Sequence, residues 1–409
     1  MKALVLCGGI PQIALIKDLK SRGITTLLAD MNEKVAAREY ADEFYNVSVL
    51  DVDGVRNLAR EQKVDFLITV CADQVLQVVA QVSEELGLPC YIDFETAENV
   101  SKKSYMKKIF SENGVPTTDF VVMDEFCEEK IAHLNYPIIV KPVDAYSSRG
   151  VQKVENIEQL KAAFEIARNI SRSKNVIVEE FAEGEEISVD VYIENGVAKV
   201  LCLTNLYKIG EDGKFVINRS RIPACVGEDI KAQIADAAQK IADAFGLKDS
   251  PMLIQLISDG KKISVVEFCA RTGGGIKFMM IKKVSGFDVV KAVVDLTLGI
   301  KPHVEEIKKS EKIIVNEFVY CKAGVFHHLE GFEELLKEGV ITDYKQFKAG
   351  GTEFRSINGS GDRVAYFSIE AATEEEMREK HALANEKIRA LTESGEDIIR
   401  HDLINKFEV

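Results

Sequence analysis

Along the first hundred residues, apolar positions fall into two spacings. Largely apolar runs at 3–7, 24–29 and 66–70 have the composition of buried strands. Between them, Ile13, Ile16 and Leu19 precede Gly23, and Val75, Val78, Val79, Val82 and Leu86 precede Gly87 and Pro89, which is helical spacing followed by a stop. Strand and helix in alternation predict a βαβ unit with a parallel sheet. A helix over about 101–113 carries Tyr105, Ile109 and Phe110 on one side and ends at Gly114 before Pro116. Further helices are predicted over 157–170, through Ile234, Ala238, Ile241 and Phe245 up to Gly246, and from Thr373, whose cap Glu376 supports. Strands near 313–320 and 363–370 give the last hundred residues an α+β character. There is no tandem repeat and no low-complexity tract.

Chemistry concentrates in the stretch MLIQLISDGKKISVVEFCARTGGG. The runs 252–257 and 263–268 are strand-like, and Ser258, Asp259 and Gly260 between them signal a turn, so a hairpin is expected. Gln255 and Glu267 lie at similar distances from that turn, so their side chains face one side and offer oxygens to a single hard cation. Arg271 and the triplet Gly273, Gly274, Gly275 add a fixed cation and backbone N–H groups just beyond. Lys277 and this glycine turn suit a substrate carboxylate. The plainer reading of the same residues is a strand-ending glutamate paired with a surface arginine.

Two more segments carry polar groups. The apolar strand 137–142 ends in Lys141 and runs into Asp144, Ala145, Tyr146, Ser147, Ser148, Arg149 and Gly150 before a strand at 151–154. Such a loop can surround phosphate oxygens with ammonium, hydroxyl and amide donors, acting as a lid over a nucleotide; an ordinary polar β-turn reads the same way. In VIVEEFAEGEEISVDVYI, two strands flank a turn at 182–185. Glu179, Glu180 and Phe181 can offer main-chain groups to an adenine edge, and Glu186 can accept ribose hydroxyls, although a surface acidic patch has the same composition. Arg219 and Arg221, before Pro223, are candidate anion contacts or solvated loop charges.

Composition narrows the field. A chain of 409 residues is long enough for two or three domains. Its 52 Lys and Arg against 66 Asp and Glu give a net charge of −14, which favours neither a nucleic acid nor an anionic membrane as partner. Eight cysteines are scattered without Cys-x-x-Cys spacing, several inside apolar runs, so they read as reduced core thiols in a cytoplasmic protein. Gly8 and Gly9 after the first strand, with Asp30 ending the second, imitate a dinucleotide site. The third glycine of that fingerprint is absent, so a tight turn or a contact to a carboxylate substrate is expected instead, and a dehydrogenase is disfavoured.

In order and spacing, Lys103, the Lys141 strand with its Ser-Ser-Arg-Gly loop, the 179–186 hinge and the Gln255/Glu267/Arg271 hairpin resemble the ATP-grasp superfamily, in particular its carbamoyl-phosphate-synthase-like members and the carboxylate-amine ligases that join amino acids. That resemblance implies an α/β and α+β chain with a Rossmann-like domain at 1–100, a two-lobed grasp domain at 101–310 whose lid lobe covers about 118–190, and a C-terminal α+β lobe at 311–409. It implies that Lys103 and Lys141 hold the α- and β-phosphates of ATP, and that Ser147, Ser148, Arg149 and Gly150 close over the β- and γ-phosphates. Glu179 would accept from the adenine amino group, Glu180 and Phe181 would contribute backbone contacts, and Glu186 would bind ribose. Gln255 and Glu267 would hold Mg²⁺, as one or two ions with Mn²⁺ as a substitute. Arg271 would stabilise the acyl phosphate, with Lys141 and Glu267 sharing the catalytic work, and Gly273, Gly274 and Gly275 would meet the substrate.

The pattern departs from the family twice. A glutamine stands at 255, as in carbamoyl-phosphate-synthase-like members, where many relatives have glutamate. The usual Glu-x-Asn is Glu267, Phe268, Cys269, and a soft sulfur suits Mg²⁺ poorly, which puts the second metal position in doubt. The expected activity is ATP-dependent formation of an amide or peptide bond through an acyl phosphate, releasing ADP and phosphate. Its partners are small-molecule carboxylate and amine substrates, an amino acid among them, and a homodimer is left open. The alternatives are another ATP-grasp reaction of the carbamoyl- or carboxy-phosphate type, or an ATP-binding regulatory protein without turnover.

Overall fold

A computed structural model describes residues 1–145, 149–209, 216–307 and 312–405. The chain divides into two compact units, one made of 1–118, 188–202 and 227–309, the other of 119–187, 203–226 and 310–409.

The first unit holds a parallel sheet in the order Glu43–Tyr45, Thr25–Ala29, Lys2–Leu6, Phe66–Ile68. Successive strand residues point to opposite faces, and both faces are covered, which is why the stretches Ala3–Leu6, Leu27–Ala29 and Phe66–Ile68 are apolar. Ala3, Val5, Leu28 and Ile68 pack with Leu15, Ile16 and Leu19 of helix Ile10–Ser21 and with Val290, Val293 and Val294. Leu4, Leu6, Leu27 and Leu67 pack instead with Val55 and Leu58 of helix Val52–Gln62 and Val79 and Val82 of helix Asp73–Leu86. Asp30 fixes the turn after the first strand: its carboxylate accepts from Gly8 N at 2.9 Å and from Asn32 N at 2.9 Å. The Gly8 amide is thus occupied by a carboxylate of the chain itself.

The hairpin expected at 252–268 is present as strands Ser250–Ser258 and Ile263–Cys269. Its far face is an aromatic cluster. Phe268 lies 5.9 Å from Phe110 of helix Lys103–Glu112 and 4.6 Å from Phe245, at the end of helix Glu228–Ala244. Met106 Sδ accepts from Phe268 N at 3.4 Å. These contacts dock the helix that begins at Lys103 against the strand that carries Glu267.

In the second unit an antiparallel sheet runs Phe120–Met123, Val176–Glu180, Ile138–Pro142, Gln152–Val154. Helix Ile157–Ile170 covers one face, burying Leu160, Phe164 and Ala167 on Val140, Val154, Val176 and Val178. Asn156 caps that helix, accepting from Gln159 N at 3.0 Å. Strands Ile217–Ile222, Ile313–Val319, Ala365–Ala371 and Asp343–Gln346 form a second antiparallel array, backed by helix Glu374–Lys387. Thr373 caps that helix at Glu376 N, 3.2 Å, and the Glu376 carboxylate accepts from Ala372 N at 2.8 Å.

Arg219 and Arg221 differ from their expectation as loop charges: both are buried on strand Ile217–Ile222. Arg219 pairs with Glu317 directly across the sheet, and Arg221 pairs with Glu374. Burial with a partner explains how two arginines sit in a strand whose polar sequence conceals it. Strand Glu43–Tyr45 was likewise unannounced, being short and half polar. Among the described residues no helix is long and apolar enough to cross a membrane.

Candidate active site

Within the first unit, Gln255 and Glu267 are direct cross-strand partners, so their side chains leave the hairpin on the same face, and the register shifts just beyond, between Gln255 and Leu256. The Lys103 ammonium lies 3.1 Å from the Glu267 carboxylate, with the two side chains 16% and 28% exposed. A carboxylate and an amide thus share one face of the hairpin, opposite the aromatic cluster, with a lysine ammonium on the carboxylate. The donor set is hard oxygen, which fits Mg²⁺.

Cys269 does not fit that role. Its thiol hydrogen-bonds the Asp73 carboxylate, and burial pushes it well above its ordinary value, with Asp73 and Glu267 adding to the rise and Arg271 opposing it. A protonated, hydrogen-bonded thiol is a poor ligand for a hard cation.

Arg271 is gripped by Asp73. Nε and Nη2 each donate to a different carboxylate oxygen, both at 2.5 Å, and Nη1 donates to Thr272 O at 2.7 Å. Burial works against the guanidinium charge, but Cys269 and Asp73 more than offset it and hold Arg271 above its ordinary value. The same pairing holds Asp73 below the usual carboxylate range against its own burial. Tyr91 steadies the turn by donating to Ala270 O at 3.1 Å. Beyond the turn, Lys277 Nζ lies 2.7 Å from Asp190 Oδ2. Gly273 is tightly enclosed, since a Cβ there would stand 3.1 Å from Asp190 Oδ1 and 3.2 Å from Lys277 Cβ, whereas Gly274 and Gly275 are exposed.

In the second unit the Lys141 ammonium lies 2.5 Å from the Glu179 carboxylate, both side chains only 7% exposed. Neighbouring strands Ile138–Pro142 and Val176–Glu180 place them together. Gly150 adopts a left-handed backbone, φ 77°, where an added Cβ would stand 2.8 Å from Ile170 Cδ1, so glycine is required there. Ser147 and Ser148 lie outside the described residues, and Arg149 follows them. The Glu180 and Phe181 amides are engaged in the chain, donating to Asp119 O at 3.0 Å and Pro137 O at 2.9 Å. The Glu180 carboxylate accepts from Asn135 at 2.8 Å, Lys153 covers the Phe181 ring at 4.4 Å, and Glu186 pairs with Lys208.

The sequence reading missed Asp73 and Asp190. Both had a signal: Asp73 opens a helix just past the end of a parallel strand, where ligand-binding groups gather, and Asp190 is a lone carboxylate in the apolar run Val189–Tyr192.

Comparison with known proteins places this geometry. Residues 134–279 match the ATP-grasp domain family. The chain therefore carries an ATP-grasp domain, and the curated proteins it resembles include ligases. It is 23% identical over 389 residues to phosphoribosylamine–glycine ligase of Lactococcus lactis, covering 88% of this chain and 89% of that one. It is 25% identical over 254 residues to alanine–anticapsin ligase of Bacillus subtilis, covering 56% and 53%. Among solved structures, the L-amino acid ligase of Bacillus licheniformis superposes with a TM-score of 0.81 at 19% identity over 96% of this chain and 98% of that one, a likeness of fold.

Proposed function

We propose that the protein is an ATP-dependent carboxylate-amine ligase that makes an amide or peptide bond through an acyl phosphate, releases ADP and phosphate, and takes an amino acid as one substrate. The observation that carries this reading is the face shared by Gln255 and Glu267, with Lys103 on Glu267 and a charged Arg271 fixed by Asp73 in the same unit.

In this reading Gln255 and Glu267 hold Mg²⁺, which supplies charge neutralisation for phosphoryl transfer when bound. Lys103 and Lys141 meet phosphate oxygens of ATP, the 147–150 loop closes over the outer phosphates, Glu179 accepts from the adenine amino group, and Glu186 binds ribose. A substrate carboxylate oxygen attacks the γ-phosphorus, ADP leaves, and Arg271 offers its positive charge to the acyl phosphate. The amine then attacks the acyl carbon and phosphate departs. No protein nucleophile is needed, since orientation and fixed charge lower the barrier. Gly273, Gly274 and Gly275 present backbone to the substrate rather than side chains. Cys269 serves Asp73 instead of a metal.

The test is release of ADP, AMP and phosphate from Mg-ATP in the presence of pooled amino acids and small carboxylic acids. ADP with phosphate, dependent on particular pools and free of AMP, is expected. AMP release, or ATP binding with no turnover in any pool, would overturn the ligase reading.

A further inference from the structure

Asp190 sits in strand Glu185–Glu194 and is only 2% exposed. Lys277 occupies its Oδ2, but Oδ1 is buried with no hydrogen-bond partner among the described residues, and so is Thr272 Oγ1 in the adjoining turn. A buried acceptor left unpaired costs about 1–3 kcal/mol, so a native chain retains one where something completes it. What covers Oδ1 is the bare backbone of Gly273. Gly273, where a Cβ would stand 3.1 Å from Asp190 Oδ1, is two residues past Arg271, so the Asp190 carboxylate lies against the turn that follows the arginine proposed to serve the acyl phosphate.

From these contacts we infer that the substrate activated at its carboxylate is an amino acid, and that Asp190 receives its ammonium group in the place now held by the Lys277 side chain. The inference rests on the ligase reading above and names the substrate class of that site. An ammonium has three donors and a positive charge, and it suits a carboxylate that still has an acceptor to fill; a simple carboxylic acid brings only more negative charge to it. Exchanging one ammonium for another keeps the buried carboxylate paired throughout. Gly274 and Gly275, exposed and with Gly275 at φ 66°, give the turn freedom to shift aside while Lys277 withdraws.

The experiment traps the acyl phosphate with hydroxylamine, using Mg-ATP and either a pool of the twenty L-amino acids or a pool of their des-amino counterparts. Wild-type protein should form hydroxamate at least ten times faster with the amino acids. Asp190→Asn should lower the amino-acid rate roughly 100-fold and bring the ratio between pools close to one. Equal rates with both pools in the wild type, or an equal loss with both in a folded Asp190→Asn, would overturn the inference. Lys277→Met covers the case in which Asp190→Asn fails to fold: its apparent KM for the amino-acid pool should fall several-fold, and a rise would make Lys277 itself the binding group and overturn the exchange. Absence of hydroxamate and phosphate with every pool would instead defeat the ligase reading. Then the Lys277 Nζ resonance of lysine-labelled protein, identified by its loss in Lys277→Met, decides separately: it should move with the amino-acid pool and stay with the des-amino pool, and any other result overturns the exchange.

Discussion

Each unit sets a lysine on a glutamate, and the two pairs differ in what surrounds them. Lys103 and Glu267 meet at 3.1 Å where solvent still reaches both, whereas Lys141 and Glu179 meet at 2.5 Å with almost no exposure. In water an ion pair is weak and replaceable, while a buried pair is costly to break because the survivor is left charged in a poor solvent. The first arrangement suits a carboxylate that trades its lysine for another cation. The second suits a lysine that must never move.

Removing Glu267 should show this contrast most strongly. Glu267→Ala is expected to cut turnover by about 10³-fold or more, since metal charge stabilisation is worth several kcal/mol, while the melting temperature stays close to wild type. Wild-type-like activity would remove Glu267 from the mechanism. The buried pair should behave in the reverse manner: Glu179→Gln is expected to cost about 3–5 kcal/mol of stability in urea titration, much of it recovered in Lys141→Met/Glu179→Leu. A marginal loss in the single variant would mean that the pair is as replaceable as Lys103 with Glu267.

Asp73 tests the intermediate case, a carboxylate that serves through an arginine. Asp73→Asn should lower kcat about 10–100-fold with little change in KM for ATP, the usual penalty for loosening a group that orients a reacting one. Its pH dependence has a definite sign. Asp73 is held below its unfolded value, near 4, so its contribution to stability is present above that value and is lost as the pH falls through the lower folded one. The acid limb of the stability profile should therefore flatten in Asp73→Asn, and an unchanged limb would show that Arg271 is held by something else. The smallest effect is expected from Cys269→Asn, which keeps a donor to Asp73 and should preserve or improve use of Mg²⁺; complete loss of activity would give the sulfur a role of its own.

Much of the fold could be read from periodicity because the elements concerned bury plain apolar faces. The parallel sheet, helix Ile157–Ile170 and the hairpin from Ser250 to Cys269 are of this kind. Strand Ile217–Ile222 could not, because Arg219 and Arg221 look soluble until Glu317 and Glu374 are brought to them from 98 and 153 residues away. The site divides along the same line. Gln255 and Glu267 are near in sequence and share a hairpin, so their facing was legible. Asp73 reaches Arg271 across 198 residues, and Asp190 reaches Lys277 across 87, and no local pattern reports such a pairing.

The order in which the two units are threaded has its own consequence. The chain passes from one unit to the other at 118/119, 187/188, 202/203, 226/227 and 309/310. No single cut therefore yields a fragment that contains one whole unit and nothing of the other, and expression of either half alone should give incomplete cores. Exchange of one unit between relatives by recombination would need five junctions to match at once. Such a chain is expected to diversify by substitution within its loops, with its lobes inherited together.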